Sequence, residues 1–401
     1  MRIALVNADG RKVGGIETYL GRLLPALLAQ GDEVALLCER DRPMDRCPIA
    51  AAGSGPIWCV EALGAARALE SLRQWRPDVL FAHAVDDLGL EEALLAEGPA
   101  ARFAHGYVGT CISGAKSFRR PAAEPCARRF GWPCLACYYP RGCGGWDPIT
   151  MWRLYREQSR RLALLRRYGA ILVASPAMAE EYWRHRLGDR VHAIRLPISP
   201  PSGAARGCPT PQQSGWRLLF MGRIDRLKGG QLLLEALPQV CRSLDCPITA
   251  TFAGDGEARS DWERLASRVR LKDSRIRIEF LGWVNESQRD ELFRHSHLLV
   301  VPSVWPEPFG QVGIEAAHYG VPAVGFAVGG ISSWLSDGVN GCLASSHPPT
   351  AEGLAVAIGN ALREPGSYQR LCQGALEATR PFTLEAHLGE LMRVLRGVAG
   401  K

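Results

Sequence analysis

Short runs that are apolar at every position alternate along this chain with longer stretches in which apolar residues return every three or four positions. The first run, Arg2–Val6, predicts a strand. Behind it, Gly15–Gln30 predicts a helix with Ile16, Tyr19, Leu20, Leu23, Leu24 and Leu27 on one face. Glu33–Cys38, Asp78–Ala82, Ala101–His105 and Ala170–Ala174 repeat the strand pattern, with helices expected at Ala65–Trp75, Leu88–Ala96 and Met151–Arg167. Strands that are apolar on both faces belong in a parallel sheet covered by helices on each side. The alternation stops at Ser199–Gly215, a stretch rich in Pro, Gly and Ser that reads as a linker. It then restarts with strands at Arg217–Met221, Ile248–Ala253, Arg275–Phe280, Leu298–Val301 and Ala323–Phe326. Helices are expected between them at Gly230–Ser243, Ala258–Val269, Ser287–His295 and Gly310–Tyr319. The pattern predicts two doubly wound α/β units, 1–198 and 216–380. A last amphipathic helix near Phe382–Val398 falls in a tail, 381–401, expected to pack back on the first unit. Sheets of this kind bind ligands at the carboxyl ends of their strands, so two of them facing each other imply a cleft between domains.

A length of 401 residues suits two cores better than one, and 47% apolar with 22% charged residues is the balance of a soluble globular protein. No run of about 18 apolar residues is present, and the opening Ile3-Ala4-Leu5-Val6 is too short for a signal peptide. The expected location is therefore the cytoplasm.

Charge changes the picture locally. The net value is +7, but residues 101–170 hold thirteen Lys and Arg against only Glu124, Asp147 and Glu157. This excess of ten positive charges lies in and just after an insert at about 106–150. Such a face suits phosphate, on a lipid head group or a lipid-linked acceptor, although a solvated helix face fits the run Arg153–Arg167 equally well. Nucleic acid is not an expected partner, since no recognition module accompanies the arginines. Phe118, Phe130, Trp132, Tyr138, Tyr139 and Trp146 interleave with those arginines. That mixture suits an acceptor clamp or peripheral contact with an anionic membrane at its inner face.

Candidate chemistry concentrates in three loops. Pro302-Ser303-Val304-Trp305-Pro306-Glu307-Pro308-Phe309-Gly310-Gln311-Val312-Gly313-Ile314-Glu315-Ala316 joins a strand to a helix. The free N–H groups of Gly310, Gln311 and Val312 suit an anion, and a carboxylate at Glu315 suits ribose hydroxyls. Gly222-Arg223-Ile224-Asp225-Arg226-Leu227-Lys228-Gly229 leaves the first strand of the second unit. There Arg223 offers a planar fork and Lys228 a point charge for two phosphates. Gly14-Gly15 opens the first helix and permits close approach of backbone to a phosphate or acceptor. The dinucleotide fingerprint G-x-G-x-x-G is absent, which argues against a dehydrogenase.

The first of these loops resembles the E-x7-E signature of the GT4 family of retaining glycosyltransferases, which have the GT-B fold. The second is similar to that family's G-R-x4-K-G element. The resemblance implies a nucleoside-diphosphate sugar donor, with Glu307 at the transferred sugar, Phe309 beside it and Glu315 at the ribose. Arg223 and Lys228 would stabilise the leaving diphosphate. It also implies that Gly282-Trp283-Val284 meets the base through main-chain groups of Gly282 and Val284, and that His105 touches the sugar or its leaving group. His83 is a weaker candidate for that place. The departures are Gln311 where Leu is usual, and Gly313, which should cost the helix about 1 kcal/mol relative to Ala. No Asp-x-Asp pair stands at a strand end, so catalysis is expected to need no metal or other cofactor. The acceptor, a glycan, a lipid-linked precursor of surface polysaccharide or a small molecule, is not named by the sequence. An epimerase, a phosphorylase or a non-catalytic sugar-nucleotide scaffold would share much of this pattern.

Thirteen cysteines are many for a cytoplasmic chain, and Cys126, Cys134, Cys137 and Cys143, preceded by Cys111, cluster in the insert. Four thiolates at that spacing suit a structural zinc ion, free or buried thiols fit it equally, and disulfides or an iron–sulfur cluster of non-standard spacing are the remaining readings. Some GT4-like sequences carry a Cys-containing insert at this place.

Overall fold

The computed structural model describes residues 1–42, 44–51, 53–198 and 215–400. The expected linker 199–215 lies outside the described residues except for Gly215. Strands β1 (Arg2–Asp9), β2 (Glu33–Arg40), β3 (Ile57–Cys59), β4 (Val79–Ala82), β5 (Ala100–Ala104), β6 (Ala170–Val173) and β7 (Val191–Ala193) form one sheet. Its order is β3-β2-β1-β4-β5-β6-β7, parallel throughout. Strands β8 (Trp216–Met221), β9 (Ile248–Ala253), β10 (Ile276–Gly282), β11 (Leu298–Val301), β12 (Ala323–Phe326) and β13 (Gly341–Ala344) form a second. That sheet is also parallel, in the order β10-β9-β8-β11-β12-β13.

The uninterrupted apolar runs have the cause inferred from the sequence. Along β1, Ile3 and Leu5 join a core with Leu20, Leu23 and Phe103, while Ala4 and Val6 join another with Leu80, Met178 and Tyr182. Both faces are thus dry, and every position must be apolar. At the edge strand β10 the rule changes: Ile276 and Ile278 are buried, while Arg277 and Glu279 between them are exposed. In both sheets the strand order reverses beside the first strand, and the loops that leave the carboxyl ends there carry the candidate residues.

The final helix, Leu384–Ala399, returns to the first sheet and packs near β4, β5 and β6. Buried His387 from this helix meets the Tyr19 hydroxyl at 2.8 Å and the Arg195 carbonyl oxygen at 2.6 Å. Ile198 N–H donates to Phe382 O at 2.9 Å, so the end of the chain is tied to the first unit by backbone as well.

Two helices differ from expectation. The helix after Glu307 covers only Val312–Ala317, shorter than the Gly310–Tyr319 read from periodicity, because Gly310 takes φ 86° and ends the loop. The basic helix begins at Pro148, earlier than Met151, because Asp147 caps it through the N–H groups of Ile149 and Thr150.

Candidate active site between the two sheets

Lys228 and Glu307 come from loops 79 residues apart, and their Nζ and Oε1 atoms meet at 2.5 Å. Two local devices bring them there. Asp225 accepts hydrogen bonds from Leu227 and Lys228 N–H at 2.9 and 3.0 Å, closing the loop after β8 into a single turn. Gly229 then adopts φ 70° with its Cα so close to the Pro302 carbonyl that any Cβ would lie 1.8 Å from that oxygen. Only glycine permits this approach, which lays the Lys228 loop on the Glu307 loop. Ser303 Oγ also donates to Glu307 Oε1 at 2.8 Å, and Lys228 Nζ stands 5.1 Å from the centre of the Trp305 ring. Glu307 is 7% exposed and Lys228 22%, so removing one partner leaves a charge with little water to take its place.

Arg223 pairs with Asp225 at 2.8 Å but stays 64% exposed, a pair that contributes little to stability and keeps a guanidinium available in the cleft. A cavity of about 900 Å³ lies beside it. One wall is Arg223, Asp225, Arg226, Leu227, Gly256, Glu257 and Trp305. The other is Ser113, Gly114, Ala115, Arg119 and Ala123 of the insert. The two units also touch beside Glu307, where the Tyr107 hydroxyl donates to the Pro306 carbonyl oxygen at 2.6 Å.

Farther along the same loop, the Phe309 side chain is buried against Phe382, with ring centres 5.4 Å apart. Gln311 caps the short helix without a side-chain bond. Among the described residues, no backbone bond between loops uses the N–H groups of Gly310, Gln311 or Val312. Glu315 lies 3.8 Å from Arg289, and burial raises its carboxyl pKa while Arg289 and Arg22 oppose the rise. Arg22 belongs to the helix that follows Gly14-Gly15, so that helix faces Glu315 across the units. Gly222, Gly254 and Gly282 pack backbone to backbone at the ends of β8, β9 and β10, with Gly254 N–H donating to Gly282 O at 2.8 Å. Trp283 beside them is 79% exposed, and Val284 is half-buried. Gly14, Gly15, Glu307 and Glu315 do not line the 900 Å³ cavity.

His105 Nε2 and His83 Nδ1 are 3.0 Å apart at the ends of β5 and β4. His105 stacks on Phe103, with ring centres 4.5 Å apart, and both histidines lie near Tyr19. Burial, with Arg102 nearby, pushes the His105 pKa down to about 3, and burial carries His83 well below its ordinary value. Both rings are neutral at pH 7. His105 therefore offers a hydrogen bond rather than a cation, with its Nε2 engaged by His83. Residues that sequence reasoning missed are Tyr107, Trp305, Arg289 and His387. Only Trp305 carried a signal, its place two residues before Glu307.

The insert has little regular structure: a two-residue antiparallel pair and the helix Pro133–Cys137. Lys116 is buried against Glu181 at 2.5 Å, and His185 accepts from Phe130 N–H at 2.9 Å, so the insert is pinned to the first unit. Cys126, Cys134, Cys137 and Cys143, for which the sequence left zinc and free thiols equally open, are all half-buried. Among the described residues no three His, Cys, Asp or Glu side chains are placed to hold a metal. Cys137 Sγ accepts from Arg128 Nη1 at 2.6 Å, and Cys111 lies near the other thiols. Burial and these neighbours push the Cys143 thiol up to about 12, the state of a protonated buried thiol.

Each half of the chain matches a known family. Residues 13–200 match the family model described as Glycosyltransferase Family 4, and residues 209–377 match Glycosyl transferases group 1. D-inositol 3-phosphate glycosyltransferase of Xylanimonas cellulosilytica is 31% identical over 52% of this chain and 44% of its own length. The chain thus spans less than half of that relative. Glycogen synthase of Mycobacterium tuberculosis is 26% identical over 94% of this chain and 89% of its own. Among solved structures, sucrose-phosphate synthase from Thermosynechococcus elongatus superposes with a TM-score of 0.71 at 20% identity, covering 100% of this chain and 99% of the other. The Anabaena protein HepE in complex with UDP gives 0.68 at 17%, covering 99% and 100%. Matched in turn by these two family models over most of its length, the chain belongs to the GT4-type glycosyltransferases and has their two-domain GT-B fold.

Proposed function

We propose that this protein transfers a glycosyl group from a nucleoside-diphosphate sugar to an acceptor hydroxyl with retention of configuration. The acceptor in this reading is a glycan or lipid-linked precursor met at the cytoplasmic face of a membrane. The observation that carries the proposal is the Lys228–Glu307 pair beside Trp305, with Arg223 held out into the neighbouring cavity. A cation pair at the strand ends suits a leaving diphosphate, and an adjacent carboxylate suits hydroxyls of the transferred sugar. In the reaction the bond from the anomeric carbon to the diphosphate oxygen breaks, and its electron pair leaves with the diphosphate. The acceptor oxygen forms its bond to that carbon on the same face. The acceptor proton passes to the departing phosphate oxygen. Arg223 and Lys228 neutralise the charge that develops there, so no divalent ion is called for. His105, neutral, donates or accepts one hydrogen bond at the sugar. Among the described residues no helix is long and apolar enough to cross a membrane, so contact with one would be peripheral.

The Anabaena neighbour was crystallised with UDP and with UDP-glucose, which makes uridine donors the first to try. The test is a thermal-shift panel of nucleoside diphosphates and their sugars in EDTA, on wild type and Glu315→Ala. The expected result is a raised midpoint with one donor class that the substitution abolishes. A folded sample that responds to no donor, or responds equally after the substitution, overturns the donor site. Release of an epimer or a free sugar phosphate without acceptor would move the protein to a different reaction on the same fold.

A further inference from the structure

Four large apolar side chains stand in water on one stretch of the insert and the helix behind it: Trp132, 74% exposed, Trp146 68%, Ile149 77% and Trp152 52%. Single exposed apolar residues are ordinary; four within 21 residues, three of them tryptophan, are not. Their neighbours are cationic. Arg120 lies over the Trp146 ring at 4.8 Å. On the helix Pro148–Leu165 the exposed Ile149, Trp152, Arg153, Arg156 and Arg160 line one groove, with Arg160 3.6 Å from Glu92. The acids nearby are largely engaged: Asp147 caps that helix, and Glu157 pairs with Arg161 at 3.0 Å. Asp86 and Asp87, which line the same groove, are held by Arg40 and by the N–H groups of Gly89 and Leu90.

From this placement we infer that the Trp–Arg face is a docking surface for an anionic phospholipid bilayer. The occupant follows from charge: residues 101–170 carry ten more cationic than acidic side chains, of which Arg102 and Lys116 are buried, while the rest of the chain is slightly acidic. Indole rings sit at the level of the head groups, and the flanking guanidinium groups meet their phosphates. The face adjoins the candidate active site through neighbouring residues of the insert. Arg119 lines the cavity opposite Arg223, and the next residue, Arg120, covers Trp146 on the outside. A protein resting on this face would have the acceptor wall of its cleft beside the membrane. The inference rests on the transferase reading only for its purpose, not for the binding itself.

The experiment is co-sedimentation with vesicles of phosphatidylcholine alone and of phosphatidylcholine mixed with phosphatidylglycerol. It compares wild type, Arg153→Gln/Arg156→Gln and Trp132→Ala/Trp152→Ala. Wild type is expected to bind only the anionic vesicles. Each arginine contributes about fivefold, so the double change should lower partitioning roughly 25-fold, and salt should erase the difference. The tryptophan pair should weaken binding without changing its salt dependence. Thermal shift with the donor, read on the same samples, should be unaltered and reports that each variant is folded. Wild type that stays in the supernatant, or variants that bind as well as wild type, overturns the inference while the donor result stands. A self-association lost with the tryptophans, without vesicle binding, also overturns it and assigns the face to a second copy.

Discussion

Gly313 sets two physical effects against each other, and the structure decides between them. By helix propensity alone, Gly313→Ala in a buried helical turn should stabilise by about 1 kcal/mol. A Cβ built at Gly313, however, would lie 2.0 Å from one Trp334 ring carbon and 2.3 Å from two more. The ring has little freedom to retreat: it is 5% exposed, and its Nε1–H donates to the Phe309 carbonyl oxygen at 2.7 Å. Overpacking a rigid site costs about 1–3 kcal/mol, and displacing the indole adds about 1 kcal/mol for its hydrogen bond. The net expectation is destabilisation of about 1–3 kcal/mol, which for a unit of this size lowers its midpoint by roughly 2–4 °C per kcal/mol. Because Trp334 also supports the loop carrying Phe309 and Gly310, nucleotide should raise that midpoint less than in wild type. The assay is thermal and urea unfolding of wild type, Gly313→Ala, Trp334→Phe and the double variant. Phenylalanine makes room for the methyl, so the two costs should not add, and the double variant should be more stable than their sum predicts. Additive costs, or a Gly313→Ala protein more stable than wild type, would refute the packing argument.

Lys228→Ala should lower kcat by about 10²–10³, the usual effect of removing one group that stabilises developing charge, with a smaller change in donor affinity. Glu307→Gln should leave UDP binding nearly intact but slow transfer; steady-state kinetics with equal losses in both quantities would contradict this division. Tyr107→Phe removes the bond to the Pro306 carbonyl and should cost about 1 kcal/mol in unfolding experiments without altering the nucleotide shift. Stability should also fall below about pH 6.5, where unfolded histidines take up protons. The sign follows from the folded values. His105 is held at about 3, His185 at about 4, and His83 and His387 also below normal, so the unfolded chain binds more protons as pH drops from 6.5 toward 3. His105→Gln should flatten that slope in denaturation measured between pH 4 and 7, and an unchanged slope would show that His105 is not held neutral.

Much of the architecture was legible from composition and order. The strands Leu298–Val301 and Ala323–Phe326 coincide with their apolar runs, because a parallel strand covered on both faces leaves no polar position to blur its ends. The Gly222–Gly229 loop was legible too, since its turn is local: Asp225 closes it through neighbours two and three residues on. The short strands Ile57–Cys59, Val191–Ala193 and Gly341–Ala344 were missed, as were the helices Ala351–Leu362 and Pro365–Ala378. A strand of three or four residues has too few positions to show a period, and its pairing is supplied by the sheet beside it. What the tertiary structure alone decided are the long-range meetings. Lys228 finds Glu307 across 79 residues, and Tyr19 finds His387 across 368, with no periodicity linking either pair. The histidines are neutral because of burial, which is a property of the packed interior and not of the residue. Gly313 looks like a flaw in a helix until Trp334 is placed against it. Backbone propensity and apolar pattern are written along the chain. Contact and dielectric environment arise only when distant segments exclude water together.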